Sequence, residues 1–364
     1  MYLSRTFSFY MARQFFSGIL VVFAALVVVA QSADFVEILR RASGHSQIGF
    51  GVVLEMSLLE LPSLALRLMS FAVLFGSMLT LTRLTRNQEL VVARAAGISV
   101  WQFLLPGLVL AALIGVVTVT VFNPISTAMT AHFQQLEARY FQGKTSLLSV
   151  SENGLWLREV GPSGGSVVHA LRAADNGRDL SDVTIFLFHG QDQFAGRIDA
   201  AAAVLKFGYW ELKNARVMLP GEPGKLYPDY RLPTALTLSQ IEDSFAAPGS
   251  LSFWRLPGFI HMLQRNGFSA VRHQLRWNEL MSLPLLLVAM VLIATAFSLR
   301  LSRQGGIGVL LSGGVIAGFV LYFLSSLVFE LGRVGSIPVL LAAWTPAGVS
   351  TLLGVTSVLY TEDG

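Results

Sequence analysis

From Gln14 to Ala33 the chain runs for twenty residues without a charge, the length an α-helix needs to cross a hydrocarbon layer of about 30 Å. Comparable apolar runs recur from about Pro62 to Leu81, Val100 to Phe122, Leu280 to Leu299, Gly305 to Phe329 and Ile337 to Tyr360. Lipid offers no partner to a backbone N–H or C=O, so segments of this kind can only be helices. The composition agrees: 53% of residues are hydrophobic and 13% charged, which is too apolar for a water-soluble chain of 364 residues. The first run is read as a span rather than a cleaved signal peptide. Ala30-Gln31-Ser32 loosely resembles a cleavage site, but the apolar core is long for one.

Arginine placement sets the topology. Arg5, Arg13, Arg83, Arg86, Arg94, Arg300 and Arg303 fall on one side of the six spans, which places both ends of the chain in the cytoplasm. The net charge of +4 is accounted for by this asymmetry, and the bases form no groove-reading pattern for nucleic acid. Helix one is expected to continue beyond the membrane through Asp34, Glu37, Arg40 and Arg41, with Gly44 to Gly51 as a loop.

Between Pro124 and Phe268 hydropathy falls and the pattern changes to alternation, in Ser146 to Arg158, Val183 to Phe188 and Lys206 to Val217. Asn153-Gly154, Asn176-Gly177 and Pro223-Gly224 mark turns, and Leu256 to Gln264 reads as a short helix broken at Gly267. The fold class predicted is an α-helical membrane protein with six transmembrane helices, split three and three around an inserted external all-β domain. Strands need a second layer or closure to bury a core, which makes a small sandwich or jelly roll the economical form. Residues 1–123 then hold the first three helices, 124–270 the β-domain and 271–364 the last three helices.

Two charged regions stand out. Arg83 to Trp101 lies between spans two and three and carries Arg86, Glu89 and Arg94, so it cannot sit in hydrocarbon. The spacing predicts a helix over about 84–98: Thr85 and Gln88 match a capping box, Glu89 suits the first turn, Gly97 is a stop and Ser99 caps the next helix. Its weakly apolar surface of Leu90, Val91, Ala93, Ala95 and Ala96 suits a groove in a soluble motor; an ordinary cytoplasmic helical loop is the other reading. The second region is at the outer leaflet, where Arg40, Arg41 and Arg67 could bind a phosphorylated headgroup with bidentate guanidinium geometry. Alternatively Arg67 snorkels or pairs with Glu60, and Arg40 and Arg41 meet bulk lipid phosphates. Gly314 and Gly318 in the glycine-rich fifth helix are read as packing contacts in preference to a moving gate.

Catalytic chemistry finds no support. There is no cysteine, and the six histidines show no HExxH pattern, so neither a catalytic residue, a metal site nor a cofactor is expected. Gly143-Lys144-Thr145 is not a phosphate-binding loop, because Ala138 stands where its first glycine is required. No span carries a mid-membrane acid of the kind an ion-coupled transporter uses. A membrane-anchored sensor or scaffold would also account for the external domain, though six helices exceed what an anchor needs.

The helix order, together with Gln88-Glu89-Leu90-Val91-Val92 through Ala96-Gly97-Ile98-Ser99 and the stretch Pro257 to Trp277, resembles the LptF/LptG family of lipopolysaccharide export permeases. The segment Gly143 to Trp156, GKTSLLSVSENGLW, looks like the G branch of that family. The resemblance implies a non-catalytic inner-membrane half-transporter that pairs with an F-subunit paralogue and docks a dimer of cytoplasmic ABC ATPases. It also implies a single-span periplasmic jelly-roll partner (LptC-like), a periplasmic β-domain, and lipopolysaccharide extracted from the outer leaflet towards a bridge of jelly rolls. By the same resemblance Arg86, Glu89, Leu90, Arg94 and Gly97 fall on the ATPase-coupling motif, and Arg40 and Arg41 on basic positions facing lipid phosphates. Asp34 departs from the basic residue expected in some relatives, and the role of Arg67 rests on the residue argument alone.

Overall fold

The computed structural model describes residues 5–43, 48–141, 155–161, 164–174, 178–189, 193–221, 223–234, 236–237, 248–265, 270–301 and 307–363. The segments around Gly143-Lys144-Thr145, Asn153-Gly154, Asn176-Gly177, Gly267, Arg303 and Gly305-Gly306 lie outside the described residues. The chain divides into two compact units, residues 1–133 with 252–254 and 271–364, and residues 134–251 with 255–270.

In the first unit, α1 (Arg5–Ala42) and α2 (Phe50–Arg86) are followed by the short α3 (Glu89–Ala95) and by α4 (Val100–Val117). A π-turn (Thr118–Phe122) leads directly into α5 (Asn123–Phe141), and after the strands come α7 (Val271–Leu301), α8 (Ile307–Arg333) and α9 (Val339–Asp363). Among the described residues six helices are long and apolar enough to cross a membrane: Arg5–Ala42, Phe50–Arg86, Val100–Glu137, Val271–Ser298, Ser312–Arg333 and Val339–Tyr360. As expected, α1 continues unbroken through Glu37, Arg40 and Arg41.

The bundle centres on α7, which packs against α2, α4, α8 and α9. Phe15, Leu74, Met78, Leu81, Phe103, Leu104, Leu287 and Val291 form its interior. Water does not drive helices together in lipid, so close backbone approach and dispersion must do so. A Cβ on Gly76 of α2 would stand 2.5 Å from the Ile19 Cα of α1, and one on Gly115 would stand 2.5 Å from the Pro284 Cα of α7. Gly314 and Gly318 of α8 do the same work against α2, with Met78 and Leu74 filling the space that their side chains would take.

Span three differs from expectation. It does not end before Asn123-Pro124 but continues as helix to Phe141. Pro124 has no N–H and its ring crowds the carbonyl four residues back, which ordinarily breaks a helix. Here the π-turn over Thr118–Phe122 absorbs the misfit. The carbonyl that Pro124 leaves without a donor, Thr120 O, accepts from Trp254 Nε1 at 3.1 Å. Beside it the buried Asn123 Oδ1 accepts from Phe253 N–H at 2.8 Å. A donor 134 residues away thus serves the carbonyl that the proline cannot. Trp254→Phe keeps the ring but orphans Thr120 O, so thermal unfolding in detergent should show a loss of about 0.5–1.5 kcal/mol. Asn123→Leu should cost more, because it strands the Phe253 N–H against an apolar side chain.

In the second unit, β1 (Leu155–Gly161), β2 (Gly164–Ala174), β3 (Asp179–His189), β4 (Gln193–Lys206), β5 (Tyr209–Met218) and β6 (Lys225–Pro233) form one antiparallel sheet. Among the described strands, neighbours in sequence are neighbours in the sheet, the order of a meander, and no Greek-key pairing occurs among them. Short connections such as Phe207-Gly208, where Gly208 takes φ +81°, hold each pair in register, Lys206 opposite Tyr209. Val168, Ile185, Ile198, Trp210 and Leu212 build the core of the sheet. The short helix expected near Leu256 is α6 (Leu256–Arg265).

Candidate functional site

The joint between α2 and α4 is shorter and more sharply turned than its sequence suggests. Buried Leu81 and Leu84 keep the chain helical through Arg86, so Thr85 lies inside the last turn of α2, where its hydroxyl donates to Leu81 O at 2.8 Å. The expected Thr85–Gln88 capping box therefore does not form. Gln88 instead takes a left-handed conformation, φ 60°, and reverses the chain into a seven-residue α3 in place of the longer 84–98 helix.

The other end behaves as expected. Gly97, at φ +80°, closes α3 with Ile98 N–H bonding to Ala93 O at 3.1 Å and Gly97 N–H to Arg94 O at 2.9 Å, the paired bonds of a Schellman stop. Ser99 and Gln102 then form a reciprocal capping box at the start of α4.

These stops divide the predicted coupling residues into two groups. Leu90 is only 4% exposed and joins the bundle interior with Leu84 and Val100, and Ala93 is buried beside it. Leu90 therefore anchors α3 to its own chain. Arg86, Arg94 and Gly97 are exposed, and Val91 and Val92 present the outward apolar surface, at 57% and 67% exposure. Glu89 is fixed between two donors: Asn87 Nδ2 at 3.2 Å from one carboxylate oxygen, and the Tyr10 hydroxyl of α1 at 2.8 Å from the other. Nothing local in the sequence marks Tyr10 as part of this joint, because it lies 79 residues from Glu89.

At the other charged region Glu37 holds both predicted arginines. Arg40 approaches it in bidentate fashion, Nε and Nη2 each 2.9 Å from a carboxylate oxygen, and Arg41 Nε lies 3.0 Å from Oε1. Such exposed ion pairs add little to stability. Their effect here is orientation: one carboxylate holds two guanidinium groups side by side. Arg67 is exposed on α2, and Asp34 interacts electrostatically with both Arg41 and Arg67, so the three predicted basic residues share one end of the bundle. Gln31 ties the helices together there by donating to the Ser57 carbonyl at 2.7 Å. Among the described residues no group of three His, Asp or Glu side chains is placed to hold a metal ion.

Comparison with known proteins gives these two regions a context. The family model described as lipopolysaccharide export system permease LptF/LptG matches residues 9–360. The chain is 25% identical over 353 residues to the lipopolysaccharide export system permease protein LptG of Escherichia coli K12, covering 95% of this chain and 96% of that protein. The LptG of Escherichia coli O6:H1 (strain CFT073) aligns with the same identity and coverage. With six membrane-length helices and a match over nearly its whole length, the chain belongs to the LptF/LptG family of lipopolysaccharide export system permeases and is a multi-pass protein of the inner membrane.

Proposed function

We propose that this chain is the G-type permease half of an ATP-driven lipopolysaccharide exporter, paired with an F-type paralogue and worked by a separate dimer of cytoplasmic ATPases. In this reading both chain ends and α3 face the cytoplasm, and the sheet faces the periplasm beside a single-span β-rich partner. The carrying observation is α3. It is anchored inwardly by Leu90 and Ala93, presents Val91 and Val92 outwardly, and is flanked by Arg86, Glu89 and Arg94. An anchored helix with a small apolar face is what a soluble motor needs in order to move a membrane subunit. Affinity purification of the tagged chain in mild detergent tests this: the ATPase and the F-type paralogue should co-purify, and their absence would favour a sensor or scaffold.

The cargo end is the arginine pair. Lipopolysaccharide carries phosphate, and the paired guanidinium groups of Arg40 and Arg41, held side by side by Glu37, suit phosphate oxygens. Arg67, near Asp34, extends this basic surface. Photo-crosslinking residues at positions 40, 41 and 67 should capture lipopolysaccharide several-fold more strongly than one at position 83. Equal labelling at position 83 would remove the lipid role from the arginines and leave the coupling role of α3 standing.

A further inference from the structure

We propose that Tyr10 is a positioning residue of the joint: its hydroxyl ties α1 to the Glu89 carboxylate, so that displacement of α3 passes into α1 and along it to Arg40 and Arg41. The inference rests on the coupling role proposed above for α3.

A helix of seven residues is too short to hold its own direction, so its attachments set that direction. One attachment is covalent, through Asn87 and Gln88 to α2. A second is apolar, through Leu90 and Ala93. Tyr10 supplies a third from a different helix, and it takes the carboxylate oxygen that Asn87 leaves free. Each oxygen keeps a lone pair, so an incoming basic group from a motor would meet a carboxylate already aimed. Any change in Glu89 would be felt at once by the Tyr10 hydroxyl.

Tyr10 is firmly mounted. The next residue, Met11, and then Phe15 and Ile19 at intervals of four are buried in the bundle interior, so this end of α1 does not swing freely. From there α1 runs without proline for all 38 of its residues. At 1.5 Å per residue the distance from Tyr10 to Arg40 along the axis is about 45 Å. One rigid rod thus has the coupling carboxylate at one end and the paired guanidinium groups at the other.

The test uses the assembled exporter in proteoliposomes loaded with lipopolysaccharide, and reads the lipid released per ATP hydrolysed alongside the Tm of the complex. Tyr10→Phe removes only the hydroxyl. It should lower the release ratio by about three- to tenfold, the range of one ordinary solvent-exposed hydrogen bond, with Tm unchanged. Combined with Glu89→Leu, which leaves the Tyr10 hydroxyl no acceptor, it should add nothing to the loss that Glu89→Leu causes alone. A normal ratio in Tyr10→Phe beside a reduced one in Glu89→Leu overturns the Tyr10 assignment alone, as do additive losses or a Tm of Tyr10→Phe that falls with the ratio. Normal ratios in both variants overturn the coupling role of Glu89 as well.

Discussion

Gly76→Leu is expected to leave little folded protein. Even the Cβ of Gly76→Ala would stand 2.5 Å from Ile19 Cα and 2.8 Å from Ile19 N, both backbone atoms that cannot rotate away. Helix propensity favours alanine over glycine by about 1 kcal/mol. Overpacking a close contact costs about 1–3 kcal/mol or more, and the obstacle here is a neighbouring main chain, so the steric effect wins. Thermal unfolding in detergent should therefore show Gly76→Ala destabilised, and Gly76→Leu should fail to yield monodisperse protein. Gly348→Ala is the counter-case: its Cβ meets nothing within 4 Å, so propensity acts alone and the variant should be at least as stable as the parent. Equal stability of the two alanine variants would contradict the α1–α2 packing described here.

Charge reversal at Glu89 should have the largest effect on function. Glu89→Arg removes the acceptor used by Tyr10 and Asn87 and places a cation between exposed Arg86 and Arg94. An incoming basic group would then meet repulsion instead of a fixed anion. Because Leu90 and Ala93 still seat α3 in the bundle, folding should survive while transmission fails. Lipid released per ATP in proteoliposomes should fall by at least about tenfold, the scale of losing a charge-assisted contact. Undiminished release per ATP would take Glu89 out of the coupling path.

What could be read from sequence, and what could not, divides by range. Six apolar runs, the extension of α1 through Arg41, the stop at Gly97 and the cap at Ser99 depend on residues a few positions apart, and all have counterparts in the structure. The end of span three was misread because Pro124 is a local stop signal, whereas the donor from Trp254 that neutralises it is remote. The Thr85–Gln88 box failed for a similar reason, since burial of Leu81 and Leu84 extends α2 over the position a cap would need. Alternation marked the start of β1 together with β3 and β5 but passed over β2, β4 and β6; in β4 the run Ala200-Ala201-Ala202-Ala203 carries no polar interruption, and no pattern within a strand states the order of strands in a sheet. At the joint, Glu89 and its flanking arginines were visible, while Tyr10 and the inward direction of Leu90 required the packed bundle.

In the function proposed above, this chain transmits force supplied by another protein. Its most direct test is reconstitution of the chain with its F-type paralogue in lipopolysaccharide-loaded vesicles, with ATP present and the ATPase either omitted or added. The membrane subunits alone should show no ATP hydrolysis and no lipid release, and both should recover when the ATPase is supplied. ATP-dependent release from the membrane subunits without it would contradict the account.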